Sequence, residues 1–541
     1  MMTTNAGDEP VRRDVLVIGA GFGGLYMIYR LRELGLTFEA VEMASDVGGT
    51  WYWNRYPGAR CDVVSLEYSY SFDEALQQEW EWTERYATQP EILRYANHVA
   101  DRFDLRRHIR FNTRVTKLEW DDDRSRWRAH TDSGPGYDVK YVITAVGCLS
   151  APKPPEIDGV DDFRGTTLFT SMWPHEGVDF TGKRVGVIGT GSSGVQSIPV
   201  IAQQAEHLTV FQRTPVFSLP ARNAALDPDY VAEYKRHYAE YRRKALEART
   251  GIIIERGLES ALEVAPEARR ERFESCWNQG LFACLSASYT DIMTDERANT
   301  LVADFVRSKI AEIVHNPSVA EDLMPQGYPY GAKRVCLDSG YYDTFNRTNV
   351  DLVNLRREPI ARITETGIRT SERDIPLDAI VFATGFDAIT GPLLRLNIRG
   401  RGGLALEEKW AAGPRTYLGL QTNGFPNLFT ITGPGSPSVV SNMIVSIEQH
   451  VDWIARCLRD LRNRGVDTIE PDAAAEDKWV QHVNDVAAGT LYPRANSWFM
   501  GANVPGKPRV FMPYLGGVNV YRETCEEVAA DNYRGFVLGT R

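Results

Sequence analysis

Two glycine turns, each set between a strand and a helix, constrain this chain more than anything else in it. Asp14-Val15-Leu16-Val17-Ile18 is a short apolar run that leads at once into Gly19-Ala20-Gly21-Phe22-Gly23-Gly24. A helix-like stretch from Leu25 to Leu34 closes on Gly35, and a second apolar run, Phe38 to Val41, ends on Glu42. A bare Gly-x-Gly-x-x-Gly is a weak signal. Inside a complete strand–turn–helix–strand unit it predicts a dinucleotide site. Gly19 and Gly21 let the backbone approach a pyrophosphate seated on the helix N-terminus, beside Phe22, and Gly24 admits close helix packing. Glu42 stands where a carboxylate accepts from ribose hydroxyls.

The pattern then repeats. Lys183 to Ile188 runs into Gly189-Thr190-Gly191-Ser192-Ser193-Gly194, a helix that carries Gln196 and extends through Gln204, and a strand from Leu208 to Phe211. Here the strand ends in Gln212-Arg213-Thr214, with no acid. A carboxylate in that slot would repel a 2′-phosphate, whereas arginine favours one, so the second unit reads as an NADP site. Two units of opposite charge preference imply two different dinucleotides, with FAD in the first and NADP(H) in the second.

A chain of 541 residues exceeds one ordinary core, so an α/β architecture of two Rossmann-like domains plus further elements is expected. The expected boundaries are 1–150 and 379–541 for the FAD-binding domain, 151–215 and 331–378 for the NADP-binding domain, and 216–330 for a helical subdomain. The crossings rest on two strands. Tyr141 to Gly147 leads outward, and Asp378 to Phe386 is read as the strand that returns the chain to the FAD sheet. Tyr230 to Leu246 and Arg297 to Val314 are amphipathic and helix-like, without a glycine fingerprint.

Other signals mainly exclude. A net charge of −11 argues against a general nucleic-acid or anionic-membrane surface. No apolar run reaches membrane-spanning length, and Met1 to Arg13 reads as a frayed polar tail without the apolar core of a signal peptide. Seven scattered cysteines, none spaced Cys-x-x-Cys, are expected to be reduced thiols in a cytoplasmic protein. No spaced His/Cys/Asp cluster marks a metal site, and nothing calls for a partner chain, so a monomer suffices.

Two further stretches carry a resemblance. Gly48-Gly49-Thr50-Trp51-Tyr52-Trp53-Asn54-Arg55-Tyr56-Pro57-Gly58-Ala59-Arg60-Cys61-Asp62 matches in full a signature of the type I Baeyer–Villiger monooxygenases. Phe163-Arg164-Gly165-Thr166-Thr167-Leu168-Phe169-Thr170-Ser171-Met172-Trp173-Pro174 is similar to the family's other fingerprint, with Phe169 where a histidine normally stands. The likeness continues through Gly433 to Ser438 and Trp498 to Asn503, and is nearest to phenylacetone and steroid monooxygenases.

The resemblance implies that NADPH reduces FAD, that O2 then forms a C4a-peroxyflavin, and that this attacks a hydrophobic ketone to give an ester or lactone. Sulfoxidation is the expected side activity. Arg334 matches the family's catalytic arginine and Asp62 the carboxylate that pairs with it. Gly49, Thr50, Trp51, Asp62, Tyr68, Val115 and Met443 are implied on the flavin. Lys333 would join Arg213 and Thr214 on the 2′-phosphate, and Trp498 would hold the nicotinamide ribose. Cys148, Val439, Val440 and Ser441 match positions that shape the substrate pocket. In the family the missing histidine links NADP binding to catalysis, so Phe169 bears on coupling more than on reaction type.

Three other readings compete: an N- or S-oxygenating monooxygenase of the same architecture, a flavin disulfide reductase, and a sensor that binds both dinucleotides without turnover. The second needs a redox-active cysteine pair beside the flavin, for which the sequence shows no motif.

Overall fold

The structure is a computed structural model that describes residues 9–540. Its first sheet has eight strands. Ile109–Arg110, Phe38–Val41, Val11–Ile18 and Tyr137–Thr144 run parallel in that order, and Leu428–Thr430 joins Tyr137–Thr144, also in parallel. Arg126–Thr131 and Val115–Asp121 extend the other edge antiparallel, and Ile398–Arg399 ends it. The helix Phe22–Leu34 covers one face and packs against the long helix Met443–Asn463, so Leu25, Met27 and Ile28 are buried with Ile454 and Leu458.

The second sheet has five parallel strands in the order Val350–Asn354, His207–Gln212, Arg184–Ile188, Ala379–Phe382, Thr166–Phe169. Near-continuous apolar strands are what a parallel sheet covered on both faces requires. The helix Ser192–Gln204 lies on it, with Val195, Ile198, Ile201 and Ala202 buried.

One crossing differs from the expectation. Ala379–Phe382 pairs with Arg184–Ile188 and Thr166–Phe169, so it completes the second sheet and does not re-enter the first. The chain returns afterwards, through Ile398–Arg399 and Leu428–Thr430. The boundary drawn between 378 and 379 therefore moves past Phe382. Four fully buried apolar residues followed by a small-residue turn look the same whichever parallel sheet they join.

The intervening segment is helical, with Pro228–Arg236, Tyr238–Glu247, Pro266–Gln279 and Glu296–Ile313 as its main helices. It has no core of its own. Tyr234, Tyr238 and Ile252 belong to the core of the first unit, while Phe273, Trp277 and Phe305 belong to that of the second. Buried Arg242 fastens the first part, donating to the carbonyls of Glu67 at 2.8 Å and Leu66 at 3.0 Å.

Two smaller expectations also change. Val11 to Arg13 are not a frayed tail: they pair with Tyr137 to Val139. Residues 1–8 of that tail lie outside the described residues. Nor are all seven cysteines free, because Cys276 and Cys284 form a disulfide, with Cα atoms 5.3 Å apart. The left-handed Gly280 (φ +65°) ends the helix Pro266–Gln279 and turns the chain back, bringing the two together. Cys61, Cys148, Cys336, Cys457 and Cys525 are free and buried.

Candidate active site

Both glycine turns do the steric work their spacing predicts. A Cβ on Gly24 would come within 1.9 Å of the Gly19 carbonyl oxygen, and one on Gly194 within 2.2 Å of Gly189 O. The third glycine of each turn is therefore obligatory for helix–strand packing. A Cβ on Gly191 would meet nothing within 4 Å, so the middle glycine of the second turn faces open space.

A cavity of about 810 Å³ opens between the first glycine turn and the second sheet. Its wall contains Gly19, Gly21, Phe22, Glu42, Gly49, Thr50, Trp51, Asp62, Tyr68, Val115 and Met443. On the far side it is closed by Cys148, Val439, Ser441, Arg334, Ser192, Gln196 and Trp498. Thus nearly every flavin-side residue expected from the sequence converges on one space. Gly24, Gly189, Thr190, Gly191, Ser193, Gly194, Arg213, Thr214, Lys333 and Val440 do not line it. Gly24 and Gly194 serve packing, and Arg213, just past the end of the strand His207–Gln212, lies near Lys333.

Glu42 is buried, and burial pushes its carboxyl up against hydrogen bonds that pull it down. Its oxygens accept from Ala20 N at 2.7 Å and Ala44 N at 2.8 Å, and the backbone of Met43 adds a third hydrogen bond. Three donors leave acceptor capacity on the carboxylate for a hydroxyl donor. The residues present therefore fit an adenosine ribose and its pyrophosphate.

Arg334 is the cation on the Cys148–Val439 side of the cavity, whose wall elsewhere also carries Arg60, Arg114, Lys153 and Arg395. Nε and Nη2 both donate to Asp62 Oδ2, at 2.9 and 2.6 Å, and Nη1 donates to the carbonyl oxygen of Val439 at 2.9 Å. Its guanidinium lies 4.6 Å from the centre of the Phe282 ring. Burial works against the charge, but Asp62 more than offsets it, and the pKa of Arg334 is raised. Val439 N donates to Met443 Sδ at 3.1 Å, and Cys148 Sγ donates to Thr432 O at 3.3 Å. Ser441 Oγ is occupied by Pro437 O and Ser446, both at 2.7 Å, so it adds little polarity to the wall.

Gln196, which lines the cavity, also joins the two units. Its amide accepts from Tyr56 OH at 2.8 Å and donates to Arg60 O at 3.1 Å, clipping the second unit to the signature loop of the first. Phe169 also lines the cavity, its ring 5.2 Å from that of Phe382 and nearly parallel to it. The loop bearing Trp498 is docked on both crossings. Asn503 Nδ2 donates to Phe386 O at 2.7 Å, Lys153 Nζ to Asn503 O at 2.7 Å, and Lys507 Nζ to Asp387 Oδ1 at 2.6 Å. Phe282 and the Val439 carbonyl were missed from sequence, where neither has a local motif.

Lys333 sits near two other cations. Burial first, then Arg213 and Arg356, lower its pKa to about 8. Its Nζ lies 4.7 Å from the centre of the Tyr328 ring.

Comparison with known proteins finds relatives along nearly the whole chain. Residues 16–267 match the family model described as pyridine nucleotide-disulphide oxidoreductase. An acetone monooxygenase (methyl acetate-forming) of Gordonia sp. is 43% identical over 97% of this chain and 99% of its own length. A Baeyer–Villiger monooxygenase of Pseudooceanicola batsensis is 43% identical over 97% and 96%. Phenazine N-monooxygenase PhzNO1 of Lysobacter antibioticus is 40% identical over 97% of both. Among solved structures, an oxidized steroid monooxygenase bound to NADP is 53% identical with a TM-score of 0.93, covering 98% of this chain and 99% of that one.

Proposed function

The chain belongs to the Baeyer–Villiger monooxygenases, and from that premise we propose how its residues divide the work on a hydrophobic ketone. It is an FAD- and NADPH-dependent oxidoreductase that places one atom of O2 beside a ketone carbonyl. When bound, the flavin supplies the oxygen-transfer chemistry and NADPH the electrons.

The first unit, with the glycine turn at Gly19, takes FAD, and Glu42 accepts from its ribose. The second takes NADPH, with Arg213, Thr214 and Lys333 on the 2′-phosphate and Trp498 on the nicotinamide ribose. Arg334 holds a fixed positive charge where negative charge develops on the carbonyl oxygen as its carbon is attacked. Asp62 keeps that guanidinium charged and oriented, Val439 O and the Phe282 ring limit its movement, and the buried walls exclude water. Cys148, Val439 and Ser441 present a mainly apolar surface, with Val440 beside them in the chain, which suits an aryl, cyclic or steroid-like ketone and also a sulfide as a side substrate. A monomer in the cytosol completes the proposal.

The observation that carries it is a half-buried arginine, Arg334, held by Asp62 in the cavity that Glu42, Trp498 and the first glycine turn enclose. Purified protein, NADPH and a phenyl ketone should give ester by mass spectrometry, and absence of ester from a panel of aryl and cyclic ketones would refute it. A second reading, N-oxygenation, is favoured by the relative named phenazine N-monooxygenase, and a heteroaromatic nitrogen substrate in the same assay decides it.

A further inference from the structure

We propose that Arg356 is a third cation of the NADPH-selecting site, acting beside Arg213 and Lys333. This rests on the reading of Arg213 and Lys333 given above and extends it to a residue outside both glycine fingerprints.

The placement follows from sheet register. Val350–Asn354 runs parallel to His207–Gln212, with Asn354 opposite Gln212. Leu355 N donates to Gln212 O at 2.8 Å, which carries the pairing one residue past the strand end. Arg213 and Arg356 therefore leave neighbouring strands at the carboxyl edge of the sheet, where ligands of open α/β sheets bind. The Asn354 side chain fixes the turn by accepting from Arg356 N at 3.0 Å.

Charge pairing separates Arg356 from its neighbour. Arg357 is taken by Asp322, which also accepts from Asn354 Nδ2 at 2.9 Å. Among the described residues, no carboxylate lies within ion-pair distance of Arg356, Arg213 or Lys333, and Asp322 is engaged by Arg357. Arg356 is exposed, as is Arg213, so neither is a structural cation buried in a core. Both lie close enough to Lys333 to lower its pKa. Three unneutralised cations in one place repel one another, and a dianion converts that repulsion into binding energy. A 2′-phosphate is the dianion that NADPH has and NADH lacks.

The test uses the FAD-loaded protein and the KM for each nicotinamide cofactor. Arg356→Ala should raise the KM for NADPH roughly tenfold, the cost of one charge-assisted contact, and leave that for NADH within about twofold. Arg356→Lys should recover part of the loss. The pH above which NADPH binding weakens should also shift upward in Arg356→Ala, because Lys333 loses a repelling neighbour. Equal effects on both cofactors, or none, would overturn the proposal. Arg213→Ala is measured in parallel. If it discriminates between NADPH and NADH while Arg356→Ala does not, only the role of Arg356 falls; if neither does, the 2′-phosphate site itself is misplaced.

Discussion

Arg334 donates from Nη1 to the carbonyl oxygen of Val439 at 2.9 Å, so this cation also holds part of the cavity wall. Val439 is a β-branched residue at φ +61°, a left-handed conformation such residues rarely adopt. Strain of about 1–3 kcal/mol is stored there. Val439→Gly should therefore lose little stability, because relief of strain offsets about 1.5–3 kcal/mol of lost burial. Val445→Gly, at a buried helical position, loses its side chain without such relief and should melt several degrees lower. Equal drops in Tm for the two variants would show that Val439 is not strained.

Lys333 predicts a pH dependence. Its pKa is lowered to about 8 by burial and by Arg213 and Arg356, and a bound dianion raises it again. The protonated form pairs with phosphate, so NADPH affinity should be highest below pH 8 and weaken as pH rises through that value. Lys333→Arg keeps its charge and should flatten the profile up to pH 10. A wild-type KM for NADPH that stays constant from pH 7 to 10 would contradict the assignment.

Phe169 predicts incomplete coupling. Its ring stacks on Phe382, and unlike a histidine it offers no hydrogen bond. One such bond contributes about 1 kcal/mol, enough to shift a two-state arrangement of the domains roughly fivefold. Phe169→His should raise the ratio of ester formed to NADPH consumed and lower the hydrogen peroxide released. An unchanged or lower ratio would reduce Phe169 to packing.

The parts of this molecule that were legible in its sequence are those where local spacing and local physics coincide. The turns at Gly19 and Gly189 require glycine because backbone atoms approach within contact distance, and Arg213 follows its strand directly. The pairing of Asp62 with Arg334 is not local: 272 residues separate them, and only the family resemblance joined them. Ala379–Phe382 was placed in the wrong sheet because apolar content does not name a neighbour. Val11 to Arg13 escaped notice because their partners, Tyr137 to Val139, are remote. Arg356 has no motif at all; its significance comes from the strand beside it and from Asp322 having taken Arg357.

The role of Arg334 is tested most directly by ester formation in Arg334→Ala, with NADPH and a ketone the wild type converts, alongside the bound-flavin content of each protein. Arg334 lies across the cavity from the first glycine turn, so the variant should keep its full complement of FAD. Loss of the fixed cation should lower ester formation at least a hundredfold, in the range seen when a stabilising donor is removed from a developing oxyanion. A variant that retains its flavin and still makes ester within a fewfold of the wild-type rate would contradict the account.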